Sequence, residues 1–324
     1  MVDRTLNDYV TLADVRAARE RIAAEITRTP LILSDAASRR AGGPVYFKLE
    51  NLQRTGSFKV RGALNRAMSL APPERQRGIV CASSGNHGLG VAYAGSRLGV
   101  PRVVVLPQKA NPYKVKLLEE LGAEVVRDGE TSDLCHQTAS AIARDKGYTL
   151  LHPFADPAVI AGQGTVGLEV LEDLPEVDEV YVPIGGGGLI SGIAVATKEQ
   201  RPRTRIWGVQ PENSNSMWAA LRQGHPVSVS DIRTVADGLS ATTTREINLA
   251  HVRRYAEDVI LVSDQAILDA TLFVLQHAKV LVEPSAAASF AGLLANARRQ
   301  GAAVVVMSGG NVSLQQLDEL RRVP

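Results

Sequence analysis

Lys59 stands in the run Gly56-Ser57-Phe58-Lys59-Val60-Arg61-Gly62, and an amphipathic stretch continues from it to about Met68. Ser57 reads as the N-cap of a helix, which puts Lys59 in its first turn. The positive end of the helix dipole disfavours an ammonium there. The same field lowers the pKa of the amine, which a lysine nucleophile or base needs near neutral pH. A lysine in a surface turn ordinarily snorkels to solvent. Lys59 therefore gains a chemical meaning only from what the chain places around it.

Three polar junctions supply that setting. The first, Ser83-Ser84-Gly85-Asn86-His87, lies between a strand pattern and a helix pattern. Its backbone N–H groups, hydroxyls and amide form a receptor for a small anion such as a carboxylate; an ordinary N-cap turn has the same composition. Cys81, just before it, reads as a small core residue rather than a catalytic thiol.

The second junction is Gly185-Gly186-Gly187-Gly188-Leu189. Consecutive glycines cost folding entropy, and close approach of backbone to a phosphate explains them. The dinucleotide pattern fails, because its last glycine would fall on Ile190 or Ser191, and the next strand ends at Gln210 without an acid for a ribose. Gly187 to Gly192 has triphosphate-loop spacing, but Ile193 replaces the lysine. A small phosphorylated cofactor remains. The third junction, Ser308-Gly309-Gly310-Asn311, puts a hydroxyl at a sheet edge, as a structural turn also can. An amine in a helix first turn, a phosphate nest and a carboxylate nest together suit a Schiff-base cofactor with an amino-acid substrate. Pyridoxal 5'-phosphate fits that set.

Alternating strand and helix patterns must hold these groups. Strands are expected at 78–82, 102–106, 124–126, 179–184, 205–210, 259–262 and 303–307. Helices are expected at 88–98, 114–121, 132–145, 160–171, 189–198, 265–279 and 286–297. The alternation predicts an α/β fold with two open, twisted, mostly parallel sheets flanked by helices. One block covers roughly 78–150. The other runs from about 155 and recruits the N-terminal segment, with the boundary near His152-Pro153. The expected division is a large domain of 1–50 plus 155–324 and a small domain of 51–154. Residues 224–250 read as a long loop with short helical pieces.

The bulk numbers narrow the class. The chain has 324 residues, 45% hydrophobic and 22% charged, which suits a globular protein of about two domains. A net charge of +2 and 4% aromatics give no case for nucleic acid or a charged membrane surface. Met1-Val2-Asp3-Arg4 lacks an apolar signal core, and no run is long enough to span a membrane. Cys81 and Cys135 do not make a disulfide framework, so a cytoplasmic protein is expected. The six scattered histidines have no metal-ligand spacing, so no transition-metal site is expected.

The motifs resemble those of the fold-type II pyridoxal-phosphate enzymes (tryptophan-synthase-β-like), closest to the threonine dehydratase and serine racemase branch. They are Lys48-Leu49-Glu50-Asn51, Ser57 to Ala63, Ser84-Gly85-Asn86-His87, Ala161-Gly162-Gln163-Gly164-Thr165, Gly185 to Gly188, Glu283-Pro284-Ser285 and Ser308 to Asn311, in the family's order over nearly the whole chain. The resemblance implies that the cofactor lies between the large and the small domain, that Lys59 holds it covalently and that Phe58 packs beside its ring. It implies that Asn86 bonds the phenolic oxygen, and that Gly185, Gly186, Gly187, Gly188 and Leu189 bind the phosphate. Ser308 would face the pyridine nitrogen, Gly238 would lie near the cofactor, and Ser83, Ser84, Gly85, Asn86 and His87 would grip the substrate carboxylate. A neutral hydroxyl at Ser308 does not hold the pyridine nitrogen protonated, and the weaker electron sink suits β-elimination better than transamination.

The implied reaction is release of a 2-oxo acid and ammonia from L-threonine, L-serine or a related β-hydroxy amino acid. Lys59, freed by the substrate amine, removes the α-proton, and the β-hydroxyl leaves with help from an acid near the cofactor phosphate. Ser84 opens an alternative. Many threonine dehydratases have alanine there, whereas serine racemases use a serine as the opposite-face acid/base, so Ser84 is a second catalytic candidate beside a capping or carboxylate-binding role. Serine racemases also place acids at a divalent-cation site near the positions of Gln210 and Ser216. Both are neutral here, so these side chains do not support a monovalent or divalent cation, while a monovalent cation bound largely by carbonyls stays open. Cys135 stands where some racemases and hydroxyaspartate enzymes carry an arginine, which argues against a dicarboxylic substrate. The chain ends soon after Asn311, so no C-terminal regulatory domain is expected. A homodimer or homotetramer is expected, with an amino-acid substrate as the small-molecule partner.

Overall fold

The structure, a computed structural model, describes residues 9–110, 112–313 and 316–318; Met1 to Arg4, which carry no apolar signal core, lie outside them. Ten strands form two sheets: β1 Leu31–Leu33, β2 Val45–Leu49, β3 Ile79–Ala82, β4 Arg102–Leu106, β5 Glu124–Arg127, β6 Thr149–Leu150, β7 Glu179–Pro183, β8 Arg205–Pro211, β9 Asp258–Val262 and β10 Ala303–Met307. The order is β1-β2-β10-β7-β8-β9 in the larger sheet and β5-β4-β3-β6 in the smaller. All pairings are parallel except β1 with β2. Strands such as Val103-Val104-Val105 and Val304-Val305-Val306 are buried throughout, as sheets covered by helices on both faces require.

The strand order explains how distant segments meet. β10 inserts between β2 and β7, with Met307 opposite Leu49 and Val305 opposite Tyr181. The carboxyl ends of β2, β10 and β7 therefore lie side by side, and they open into Glu50, Ser308 and the glycine run. In the smaller sheet the inner strand β3 opens into Ser83 to His87. Ligands of open α/β sheets bind at such edges.

Three helices tie the sheets together: Lys59–Ser69, Pro157–Asp173 and Gly188–Lys198. The middle one is buried without a break from Val159 to Val170. A Cβ on Gly162 would lie 2.6 Å from Arg61 O and 2.7 Å from Gly62 Cα, so the first two helices touch backbone to backbone. On its other side Gly164 meets Gly192, where a Cβ on Gly192 would collide with Ile160 O and Gly164 N. Gly162→Ala is expected to destabilise the protein by about 1–3 kcal/mol, because neighbouring backbone cannot rotate away as a side chain can. A urea-denaturation midpoint equal to wild type would contradict this packing.

Several sequence expectations need correction. The helix starts at Lys59, with Phe58 as a helical-conformation N-cap (φ −57°, ψ −22°) that makes no side-chain cap bond. Ser57 does not cap it; Ser57 is fully buried, bridges Gly309 and leaves its Oγ without a hydrogen-bond partner. The stretch expected as one helix over 265–279 is an α-helix, Asp264–Phe273, followed by a π-helical turn, Val274–Ala278, with Lys279 at φ +61°. Residues 224–250, by contrast, form a loop with short helical pieces as expected, with a Ser228–Thr243 bridge, the 3₁₀ turn Asp237–Leu239 and the start of the helix Glu246–Tyr255. Among the described residues no helix is long and apolar enough to cross a membrane.

Candidate active site

Lys59 is brought to the space between the sheets by its place at the start of its helix. Its Nζ donates to Pro153 O at 3.0 Å and lies 5.3 Å from the centre of the Phe58 ring. Phe58 is in turn fixed to the third junction, because its N–H donates to Ser308 O at 3.1 Å. Burial pushes the Lys59 ammonium down to about 8, and the nearby Glu283 carboxylate offsets part of that effect. Desolvation, rather than the helix-end field expected from the sequence, is the cause of the lowered pKa.

The glycine run lies across the end of β7. Gly187 takes φ +94° as the N-cap of the helix Gly188–Lys198. The sequence attributed all four glycines to a phosphate, but Phe154 explains two of them. A Cβ on Gly186 would run into the Phe154 ring, and one on Gly188 would lie 3.0 Å from Phe154 Cα. The run still presents a receptor. Among the described residues, the N–H groups of Gly185, Gly186, Gly187, Gly188 and Leu189 find no acceptor, and they sit at the positive end of a helix. Gly238 adjoins them: its O would lie 3.0 Å from a Cβ on Gly185, and its N–H donates to Ser285 Oγ at 2.9 Å. Asn248 backs the loop. It donates to Phe154 O at 3.0 Å, and its buried Oδ1 has no partner.

The carboxylate-type junction follows the same pattern. The helix Asn86–Leu98 starts after Gly85, which makes no side-chain cap bond. Ser84 therefore does not cap it, and among the described residues its hydroxyl makes no hydrogen bond. Ser83 Oγ accepts weakly from Gly85 N at 3.3 Å. His87 departs from the sequence expectation in its side chain. The ring is buried, its Nε2 lies 2.9 Å from Leu151 O, and burial pushes its pKa down to about 3. Only its main chain is left to serve an anion.

A group that the sequence showed only inside a motif joins these junctions. Glu283 accepts from Asn86 Nδ2 at 2.8 Å and from Asn311 N at 3.2 Å, while Asn311 Nδ2 donates to Asn86 Oδ1 at 2.7 Å. The three side chains span both sheets. Burial pushes the Glu283 carboxyl up to about 7; the charge of Asp237 adds to this, and Asn86 and Asn311 oppose it. Pro153, Phe154 and Asn248 were missed altogether, since nothing in their types marks them; a Pro-Phe pair between a strand and a helix reads as a linker. Gln210 spends its amide inside the fold, on Ile184 O at 3.4 Å and Trp218 N at 2.9 Å, and Ser216 Oγ donates to Ala241 O at 3.3 Å. Cys135 is buried and donates to Asp128 O.

A carboxyl whose pKa is raised on folding favours the folded state below its folded value and loses that advantage as pH rises through it. In the cofactor-free protein, stability should fall between pH 4.5 and about 7 by a component that Glu283→Gln removes. Wild-type and variant urea midpoints that run parallel over this range would contradict the buried state of Glu283.

Comparison with known proteins agrees with this geometry. Residues 22–309 match the family model described as pyridoxal-phosphate dependent enzyme, and the chain belongs to that family. It is 42% identical over 312 residues to the L-threonine ammonia-lyase of Thermotoga maritima, covering 96% of this chain and 78% of the relative. It is 39% identical over 315 residues to the catabolic L-threonine dehydratase of Escherichia coli K12, covering 96% of each. Maize serine racemase superposes with a TM-score of 0.92 at 34% identity, over 96% of this chain and 97% of that one. The cofactor implied is pyridoxal phosphate. The residues present fit it: a buried amine beside an aromatic ring, and a row of unpaired N–H donors at a helix end.

Proposed function

We propose that the protein is a pyridoxal-phosphate-dependent dehydratase that converts L-threonine, L-serine or a related β-hydroxy amino acid to a 2-oxo acid and ammonia. The observation that carries this reading is the Lys59 amine, desolvated beside the Phe58 ring, in a fold that also holds a row of N–H donors without acceptors at Gly185 to Leu189. In this reading Lys59 holds the cofactor and then takes the α-proton. Phe58 flanks the ring, Gly185 to Leu189 hold the phosphate, and Gly238 lines the same end. Asn86 has one N–H beyond its bond to Glu283 for the phenolic oxygen. Ser308 faces the ring nitrogen, and the N–H groups and hydroxyls of Ser83 to His87 hold the substrate carboxylate. The bound cofactor supplies a sink for the electron pair left when the α C–H bond breaks. An amine with a pKa of about 8 is neutral in substantial part near that pH, as a general base requires. The β-hydroxyl leaves as water, and one water is taken up when the 2-oxo acid and ammonia separate.

The same reading takes residues 1–50 with 155–324 as the large domain and 51–154 as the small one, assembled as a cytoplasmic homodimer or homotetramer. The 39% and 42% identities to threonine dehydratases support the choice of reaction. A racemase is the second reading. The serine at position 84 and the likeness to maize serine racemase favour it.

Purified protein is expected to show the absorbance of covalently linked pyridoxal phosphate and to release 2-oxo acid from L-threonine. Lys59→Ala should lose the linked band and lower kcat about a thousandfold or more. A linked band that survives in Lys59→Ala would sink the assignment. Ser84→Ala keeps the main-chain N–H donors for the substrate carboxylate, so it should retain kcat for 2-oxo acid release from L-substrates and show its loss of carboxylate contact as a raised KM. If wild type forms D-serine from L-serine faster than pyruvate, and Ser84→Ala abolishes this, the racemase reading replaces the dehydratase.

A further inference from the structure

Directly behind Lys59 lies a cluster of charges that the reaction does not use. Lys48, Glu50 and Arg61 are fully buried and Glu169 is 5% exposed. They come from β2, the turn after it, the Lys59 helix and the helix Pro157–Asp173. Every donor of the Arg61 guanidinium is used. Nε and Nη2 fork the Glu50 carboxylate at 2.8 and 2.7 Å. Nη1 and Nη2 fork Glu169 at 2.7 and 2.9 Å, and Nη1 also donates to Thr165 Oγ1 at 3.0 Å. Lys48 Nζ closes the cluster with bonds of 2.6 Å to Glu169 Oε2 and to Thr29 O. Burial alone would raise the Glu169 carboxyl, yet Arg61 and Lys48 outweigh it and hold the group below its ordinary range.

Stability alone does not account for such a cluster, since apolar residues of similar volume fill a core at lower desolvation cost. Geometry does. A planar guanidinium held by two carboxylates has one orientation, whereas apolar contacts allow helices to slide. Arg61 is two residues beyond Lys59 on the same helix, so any displacement of Arg61 carries Lys59 with it. Glu169 and Thr165 belong to the helix that follows Pro153, the residue whose carbonyl accepts from Lys59 Nζ. The network thus holds both the amine and its partner segment.

We propose that the Arg61–Glu50–Glu169 network is the device that positions Lys59 for covalent attachment of the cofactor and for proton transfer. This rests on the reading that Lys59 carries the cofactor. Arg61, Glu50 and Glu169 are positioning residues; they do not touch the substrate.

The test uses the holoenzyme with Arg61→Lys, which keeps the charge but loses the forks, with Glu169→Gln, and with Thr165→Val, which removes one of the five contacts and no charge. Four quantities are measured. They are the thermal midpoint, the fraction of Lys59 trapped with pyridoxal phosphate by borohydride and peptide mapping, the pH midpoint of the linked-cofactor absorbance, and kcat and KM for L-threonine. Folded variants are expected to trap a smaller fraction of Lys59, to shift the absorbance midpoint and to lose kcat on the order of tenfold to a hundredfold, with KM little changed. Folded variants that melt earlier but trap Lys59 fully, with unchanged midpoint and kcat, would overturn the proposal and leave the network purely structural. If Arg61→Lys and Glu169→Gln do not fold, Thr165→Val decides by the same comparison. Wild type with no label at Lys59 overturns the underlying reading as well, whereas equal labelling in wild type and variants overturns the positioning role alone.

Discussion

The contact of helix backbone with helix backbone through glycine is the constraint on which the site depends. The helix Pro157–Asp173 presents Gly162 to the Lys59 helix and Gly164 to the helix that carries the glycine run. Between them Gln163 Oε1 accepts from Gly62 N at 3.2 Å, and Thr165 meets Arg61. The motif Ala161-Gly162-Gln163-Gly164-Thr165 is therefore a spacer with two faces. It sets the separation of the amine from the phosphate-type nest by main-chain contact, which tolerates less drift than side-chain packing. Each glycine costs backbone entropy, and that cost is offset by the close approach it allows.

Within that frame, desolvation governs the electrostatics. It drives the Lys59 ammonium down and the Glu283 carboxyl up, so both groups lean toward neutrality when the site is buried. The anion receptors are made accordingly from N–H donors and helix ends rather than from cations. These are fixed dipoles, and they need no counter-charge when no anion is bound. Glu283 does something different. It couples Asn86, on the smaller sheet, to Asn311, beyond the end of the larger one. The two lobes are thereby joined at the point where the ring of the cofactor is proposed to lie.

Much of this was legible in the sequence, for identifiable reasons. β4 and β10 carry β-branched runs bounded by turn residues, and their predicted limits match the observed ones. β1 and β2 were not read, because Lys48 interrupts an apolar strand and only the buried partners Glu169 and Thr29 make it tolerable. Ser57 mimicked a cap because residue type cannot show that its neighbour Gly309 pulls it into a bridge instead. The glycine run was located correctly but explained incompletely, since the approach of Phe154 is a tertiary fact. The roles of Pro153 and Asn248 had no local signal. Both act across more than ninety residues of sequence, on Lys59 and Phe154.

Ser84 bears on the choice between the two reactions. Racemisation needs a proton delivered to the face of the carbanion away from Lys59, whereas elimination needs only that the β-hydroxyl leave before that proton arrives. A serine hydroxyl is a weak acid and a weak base unless a neighbour relays its proton. Among the described residues no side chain hydrogen-bonds to Ser84, and the ring of His87, three residues on, is committed to Leu151 O with its pKa held at about 3. Without a relay, reprotonation from Ser84 is slow relative to loss of a β-substituent. The neutral hydroxyl of Ser308 works in the same direction in the proposed arrangement, because a weaker electron sink shortens the life of the carbanion that Ser84 would have to intercept. Both features weight the site toward elimination.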